Sequence, residues 1–138
     1  MRIRNEAPRI FFGETTRKRN FEGMVMYAWA LFPESVPRGV LHSTQIPTAD
    51  NGYSGQNYTG FADPEVDALI EAIETTLDPE ERRPLWAQMQ RVYTEKLAVL
   101  PLYFRTNVDI LPKWLLGVRP TGHLMSTSQW VEEWTVAE

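Results

Sequence analysis

The stretch DPEVDALIEAIETTLDPEERRPLWAQMQRVYTEKL, residues 63–97, decides the fold. Asp63-Pro64 sets an N-cap residue ahead of a proline at the first helical position, where no backbone N–H is needed. Val66, Leu69, Ile70, Ile73 and Leu77 follow at helical spacing. Asp78-Pro79-Glu80-Glu81 repeats the start signal, with an acid three residues after the cap. Leu85, Trp86, Met89, Val92, Tyr93 and Leu97 then form a wide apolar stripe. Pro84 falls inside it and removes one backbone hydrogen bond, so a kink or a loose first turn is expected there. The spacing predicts a helical hairpin over 64–76 and 79–97.

Working outward, Ala30 to Asp63 shows no period and is dense in turn signals: Pro33, Pro37, Pro47, Asn51-Gly52 and Ser54-Gly55. One helical turn is expected at 39–42. A loop this long in a compact domain tends to carry function. Before it, Gly23 to Trp29 is apolar on both faces and reads as a buried central strand. Residues 8–19 read as a helix opening at Pro8, and residues 2–6 as a short strand. After the hairpin, Leu100 to Leu111 alternates. Leu102, Phe104, Val108 and Ile110 share one parity, and Tyr103, Arg105, Asn107 and Asp109 the other, which predicts one or two strands. Gln129 to Val136 reads as a last strand.

The chain has 138 residues, one ordinary domain's worth, and is expected to form a single domain. Its hydrophobic fraction of 43%, with five Trp, five Tyr and six Phe, is that of a folded core rather than a disordered segment. The net charge of -4 argues against a nucleic-acid surface, and Arg17-Lys18-Arg19 reads as a solvated helix end. The absence of cysteine excludes disulfides, thiolate nucleophiles and Cys-ligated zinc. No apolar run approaches the roughly 18 residues of a membrane helix. The first twenty residues, with six Arg and Lys, do not read as a signal peptide.

No motif points to catalysis. His42 and His123 are isolated, with no partner at metal-ligand spacing. The serines lack a nucleophile-elbow context, and Gly52-Tyr53-Ser54-Gly55 lacks the lysine and helix of a phosphate loop. No catalytic residue, metal or cofactor is expected. What stands out is aromatic and amide content on non-periodic segments: Trp29 and Phe32, then Asn57 and Tyr58. Such residues line binding clefts on loops at strand ends, or simply pack a loop onto its domain.

The ordered features resemble the C-terminal part of the family 5 extracellular solute-binding proteins, the peptide- and nickel-binding group of ABC importers. The residues that carry the resemblance are Tyr27-Ala28-Trp29, Asn57-Tyr58-Thr59-Gly60-Phe61, Asp63-Pro64-Glu65-Val66-Asp67-Ala68-Leu69-Ile70, then Asp78, Arg82, Leu85 and Gln90, Leu100-Pro101-Leu102-Tyr103 and Trp114-Leu115-Leu116-Gly117-Val118. The resemblance implies an α/β fold: part of one lobe of a two-lobed periplasmic binding protein, with a small mixed sheet and the helical hairpin packed on it. It implies a non-enzymatic role, capture of a small-molecule or peptide solute in the periplasm for the permease subunits of an importer. Residues 1–138 would be the C-terminal portion of a longer chain, prone to self-association where apolar surface lacks its cover.

For the site, the resemblance implies Trp29 as a wall of the solute pocket. Phe32 stands where peptide binders commonly place an aspartate, and Met26 where some members place an arginine, which points away from a cationic peptide end and towards a more apolar solute. The expected contacts are Trp29 and Phe32 as an apolar wall, with Asn57, Tyr58 and Arg105 beside them. An alternative is a protein-interaction module with an aromatic loop surface, and a third is a hydrolase with a dispersed site.

Overall fold

A computed structural model describes residues 3–30, 32, 35–104, 108–121 and 126–137. The chain divides into two compact units: Met1–Met26 with Val36–Pro101, and Tyr27–Ser35 with Leu102–Glu138.

The helical hairpin organises the first unit. Helix α3 spans Pro64–Thr75 and helix α4 spans Pro79–Lys96. Their starts follow from their caps. The Asp63 carboxylate accepts from the N–H groups of Glu65 and Val66 at 3.0 and 3.4 Å, and Asp78 accepts from Glu80 and Glu81 at 2.8 and 3.4 Å. Each aspartate thus satisfies two of the N–H groups that a helix leaves without partners. Helix α4 runs on through Pro84. It stops where Leu97 turns left-handed at φ 46°, its N–H still donating to the Tyr93 carbonyl. The Lys96 ammonium then lies 2.8 Å from the Asp63 carboxylate and ties the end of α4 to the start of α3.

Burial follows the apolar spacing. Val66, Leu69, Ile70 and Ile73 of α3 meet Met89 and Val92 of α4 and Leu41 in one core, with Phe61, Leu85, Trp86 and Tyr93 packed around it. Each fully buried aliphatic side chain contributes roughly 1.5–3 kcal/mol of transfer free energy. Leu77 lies beyond the end of α3 and is exposed. Leu41 belongs to α2, Arg38–Leu41, the single turn expected at 39–42. Arg38 grips Glu74 of α3 through Nε and its terminal nitrogen, at 2.8 to 2.9 Å. This paired hydrogen bond holds the Glu74 carboxyl below its ordinary pKa and the guanidinium above its own.

The expected helix at 8–19 is shorter. Helix α1, Pro8–Ile10, runs into a π-helical turn over Phe11–Thr16. The buried Thr16 hydroxyl donates to the Phe11 carbonyl, five residues back, at 2.9 Å. That side-chain bond supports the wider turn. Residues 3–6 form no strand; the Glu6 carboxylate instead accepts from the Thr15 hydroxyl and pairs with Arg4.

The second unit holds the sheet. Strands β1, Leu115–Leu116, and β2, Thr135–Val136, pair antiparallel, with Leu115 opposite Val136 and Leu116 opposite Thr135. The Ala137 N–H donates to the Trp114 carbonyl and extends the ladder. Gly117 sits at φ 78°, where a Cβ would come within 2.2 Å of the Glu133 carbonyl oxygen, so only glycine fits that turn. The strand expected over 129–136 survives only in its last residues. Thr127–Glu133 form 3-10 turns divided at Trp130.

The described residues therefore mix helices with one small sheet, which is antiparallel rather than mixed. The strands expected at 24–29 and 100–111 are corrected: their described residues follow no sheet ladder. The reason is physical. A period of two tells which residues share a face, but a strand exists only through a partner elsewhere in the chain.

Candidate functional site

A concave surface opens beside the loop between α2 and α3. Asn57 of this loop is fully buried. The Asn57 amide nitrogen donates to the carbonyls of His42 and Phe61, at 3.1 and 2.7 Å. Its amide oxygen accepts from the Thr59 hydroxyl and the Phe61 N–H, at 3.0 and 3.2 Å. One side chain thus pins both ends of the loop, from His42 to Phe61. Asn51 does the same for the tip: its oxygen accepts from the N–H groups of Thr48 and Ser54, and its nitrogen donates to the Ile46 carbonyl.

The backbone is left-handed at Gly52, Tyr53 and Gly55. A Cβ on Gly55 would come within 2.1 Å of the Gln45 carbonyl, so the two arms of the loop approach as closely as backbone allows. Tyr53, at φ 56°, adopts a conformation that costs a side-chain-bearing residue roughly 1–3 kcal/mol. Its carbonyl accepts from Arg17 Nε at 2.9 Å, and Lys18 Nζ sits 6.0 Å from the centre of its ring.

Beside these turns lies a cleft of about 560 Å³, open to solvent and lined by Phe12, Arg17, Gln45, Tyr53, Ser54, Gly55, Gln56 and Tyr58. Three aromatic residues, two primary amides and one guanidinium border it, its accessible lining is mainly polar, and no carboxylate lines it. A second hollow of about 440 Å³ opens at the start of α3, between Ser43, Asp63, Asp67 and Glu71. Its carboxylates are engaged. Asp67 accepts from the Ser43 N–H and hydroxyl, Asp63 holds Lys96, and Glu71 lies 3.4 Å from Nε2 of the buried His42. The other ring nitrogen, Nδ1, accepts from the Thr44 N–H. His42 therefore closes its own loop. Among the described residues no group of three His, Cys, Asp or Glu side chains could hold a metal ion.

The residues singled out from sequence fall in two places. Asn57 and Tyr58 belong to the first unit and to this loop: Tyr58 lines the cleft, while Asn57 turns every polar atom inward to the loop backbone and to Thr59. Trp29 and Phe32 belong to the second unit. Trp29 is partly exposed and meets Tyr27 edge to face, ring centres 5.8 Å apart. Phe32 is exposed. Arg105 lies outside the described residues. Arg17, Gln45, Tyr53 and Gln56 were not singled out. The signal for Tyr53 and Gln56 was the cluster Asn51-Gly52-Tyr53-Ser54-Gly55, whose turn residues place them on one tight loop; the sequence carries no such signal for Arg17 or Gln45.

No family model matches the chain. It is similar to an uncharacterized lipoprotein of Mycobacterium tuberculosis and to one of Mycobacterium bovis, each 36% identical over 84 residues, covering 61% of this chain and 15% of the relative. It is also similar to an uncharacterized protein of Sinorhizobium fredii, 31% identical over 115 residues, covering 75% of this chain and 17% of the relative. The chain thus spans about a sixth of the length of the curated relatives it matches. No solved structure matches. Among the described residues, no helix is long and apolar enough to cross a membrane.

Proposed function

We propose that this chain is the C-terminal portion of a solute-binding subunit of an ABC importer, one that captures a small molecule or peptide in the periplasm and delivers it to the permease subunits. The observation that carries this reading is the pinned loop of 42–61, with its cleft of aromatic rings, amides and one guanidinium. Rigid loops bearing a few placed polar groups among aromatic faces are what small-solute sites are built from. The ordered resemblance across 27–118 supports it as well. The name lipoprotein, borne by the mycobacterial relatives, supports an exported or membrane-anchored location. In this reading the chain belongs to one lobe of a two-lobed binding protein, and Trp29 and Phe32 of the second unit form an apolar wall of the main solute pocket.

Thermal denaturation against a panel of peptides, opines, sugars, sugar acids and metal chelates tests the reading. A ligand at one hundred times its dissociation constant adds about 2.7 kcal/mol to the stability of the folded state. A panel in which no member raises the melting temperature counts against solute binding. Given a binder, Trp29→Ala in the longer protein is expected to weaken it; unchanged affinity removes Trp29 from the pocket.

The second reading, a protein-interaction module, is favoured by a different observation. Met24, Met26 and Leu100 of the first unit, and Phe104 and Ile110 of the second, are exposed, and exposed apolar side chains offer contacts to another protein. A partner that binds through these residues, with no solute effect in the thermal panel, would support it over the first.

A further inference from the structure

We propose that the cleft of the first unit takes a small organic oxyanion, a carboxylate or phosphate carried on a hydroxylated ring, with Arg17 as its anchor. The proposal deepens the solute-binding reading and rests on it.

The argument starts from charge. The chain carries a net charge of -4, yet the cleft is lined by no Asp or Glu and by one guanidinium. Arg17 is held rather than free-swinging: its Nε donates to the Tyr53 carbonyl at 2.9 Å. Among the described residues its two terminal nitrogens have no carboxylate within ion-pair distance and make no hydrogen bond. Arg4, Arg38, Arg83 and Arg119 are each paired with a glutamate, whereas Arg17, like Arg9, Arg19, Arg82 and Arg91, is in no ion pair among the described residues; of these, Arg17 is the one that lines the cleft. A guanidinium fixed at Nε presents its remaining N–H groups as a planar fork, the geometry that matches two oxygens of a carboxylate or phosphate. Lys18 stands at the Tyr53 ring and adds positive potential at the rim, although Glu14 already pairs with it.

The rest of the lining specifies the body of the ligand. The side-chain amides of Gln45 and Gln56 make no hydrogen bond among the described residues, and both line the cleft with the Ser54 hydroxyl. Each amide offers donors and an acceptor, which suits hydroxyl groups that do both. The rings of Phe12 and Tyr53 border the cleft, whose accessible lining is mainly polar, so the body of the ligand meets hydrogen-bonding groups more than apolar ones. A neutral sugar would use the amides and rings but leave the guanidinium fork empty; a bare inorganic anion would use the fork alone. The pinned loop fixes the backbone that carries Gln45, Tyr53 and Gln56, and the Tyr53 carbonyl holds Arg17 Nε, which lowers the ordering cost on association.

Titration of the isotopically labelled chain, followed by amide NMR shifts, tests this with three probes: glucuronate, glucose 6-phosphate and glucose. Both anions are expected to shift residues 17, 45 and 53–58, and to bind at least tenfold more tightly than glucose. The two anions compared with each other tell carboxylate from phosphate. Arg17→Gln is expected to weaken the anions by about tenfold to a hundredfold, the worth of charge-assisted hydrogen bonds, and to leave glucose unchanged. Arg17→Lys keeps the charge without the fork and should recover only part of the loss. Gln56→Leu, which breaks no hydrogen bond among the described residues, should weaken all three probes alike and serves if Arg17→Gln disturbs the loop. Equal binding of glucose and glucuronate, shifts that map elsewhere, or variants that bind as the parent does would overturn the proposal. If none of the three probes binds while another solute raises the melting temperature, the anion site fails and the solute-binding reading stands.

Discussion

Truncating Asn57 to alanine measures how far the candidate loop depends on one buried amide. The side chain makes four hydrogen bonds, and their partners are not equally exposed to its loss. The His42 carbonyl still accepts from the Gln45 N–H, at 3.0 Å. The Phe61 N–H still has the Thr59 hydroxyl oxygen at 3.3 Å, and exposed Thr59 can turn to water. The Phe61 carbonyl loses its 2.7 Å donor, and no other donor to it is present among the described residues. A buried polar group left without a partner costs about 1–3 kcal/mol, and the two or three bonds merely weakened cost about 0.5 kcal/mol each. The expected destabilisation is therefore about 2–4 kcal/mol. At about 4 °C per kcal/mol for a chain of this size, the melting temperature should fall by about 8–16 °C. Asn57→Asp sharpens the test. It keeps the shape but turns a donor into an acceptor facing two carbonyl oxygens. Its carboxyl would be held above the ordinary value in the folded state, so the variant should gain stability relative to parent as pH falls from 7 towards 4. Circular dichroism melts of the three proteins at both pH values decide it. An alanine variant melting within 2 °C of the parent, or an aspartate variant indifferent to pH, would refute the account of Asn57 as the pin of the loop.

Other parts of the molecule carry expectations of their own. Ile73→Ala removes a fully buried side chain from the hairpin core and should cost about 2–5 kcal/mol in denaturant titration. Asp63 titrates low, first because of the Lys96 ammonium and then because of the helix N–H groups it caps. A depressed carboxyl stabilises the fold at neutral pH and loses that contribution as pH falls through its lowered pKa. The gap in melting temperature between parent and Asp63→Asn should therefore narrow in acid, and a gap constant from pH 7 to pH 2 would contradict the pair. Sedimentation velocity should show concentration-dependent self-association, driven by exposed apolar side chains such as Met24, Met26, Leu100, Phe104, Val108 and Ile110. A clean monomer at high concentration would count against it.

The sequence disclosed the hairpin because everything that builds it is local. Asp63-Pro64 and Asp78-Pro79 start the helices, and the apolar spacing of Val66 to Ile73 and of Met89 and Val92 aims them at each other. The single turn at Arg38–Leu41 was legible for the same reason. The cleft was legible only in outline. The turn residues announced a structured loop, but that Arg17, on a different segment, would reach the Tyr53 carbonyl is a contact across 36 residues with no signature in composition. Asn57 shows the converse difficulty. An amide among aromatics reads equally as a ligand contact or as a loop pin, and only its burial and its four partners tell what it does within the chain.

The segments expected to be strands expose a deeper asymmetry between helix and sheet. Leu102, Phe104, Val108 and Ile110 have the parity of a buried face, yet all four are exposed, and Tyr103 on the other parity is exposed too. Among its described residues, those of both parities are exposed. The same holds for Met24 and Met26, which stand 84% and 72% exposed in what reads as the most apolar strand of the chain. A helix satisfies its own backbone, so α3 and α4 form wherever their caps and stripes are present. A strand's N–H and C=O groups are satisfied only by a neighbour. The exposure of these apolar side chains is why self-association is the expected behaviour of this chain.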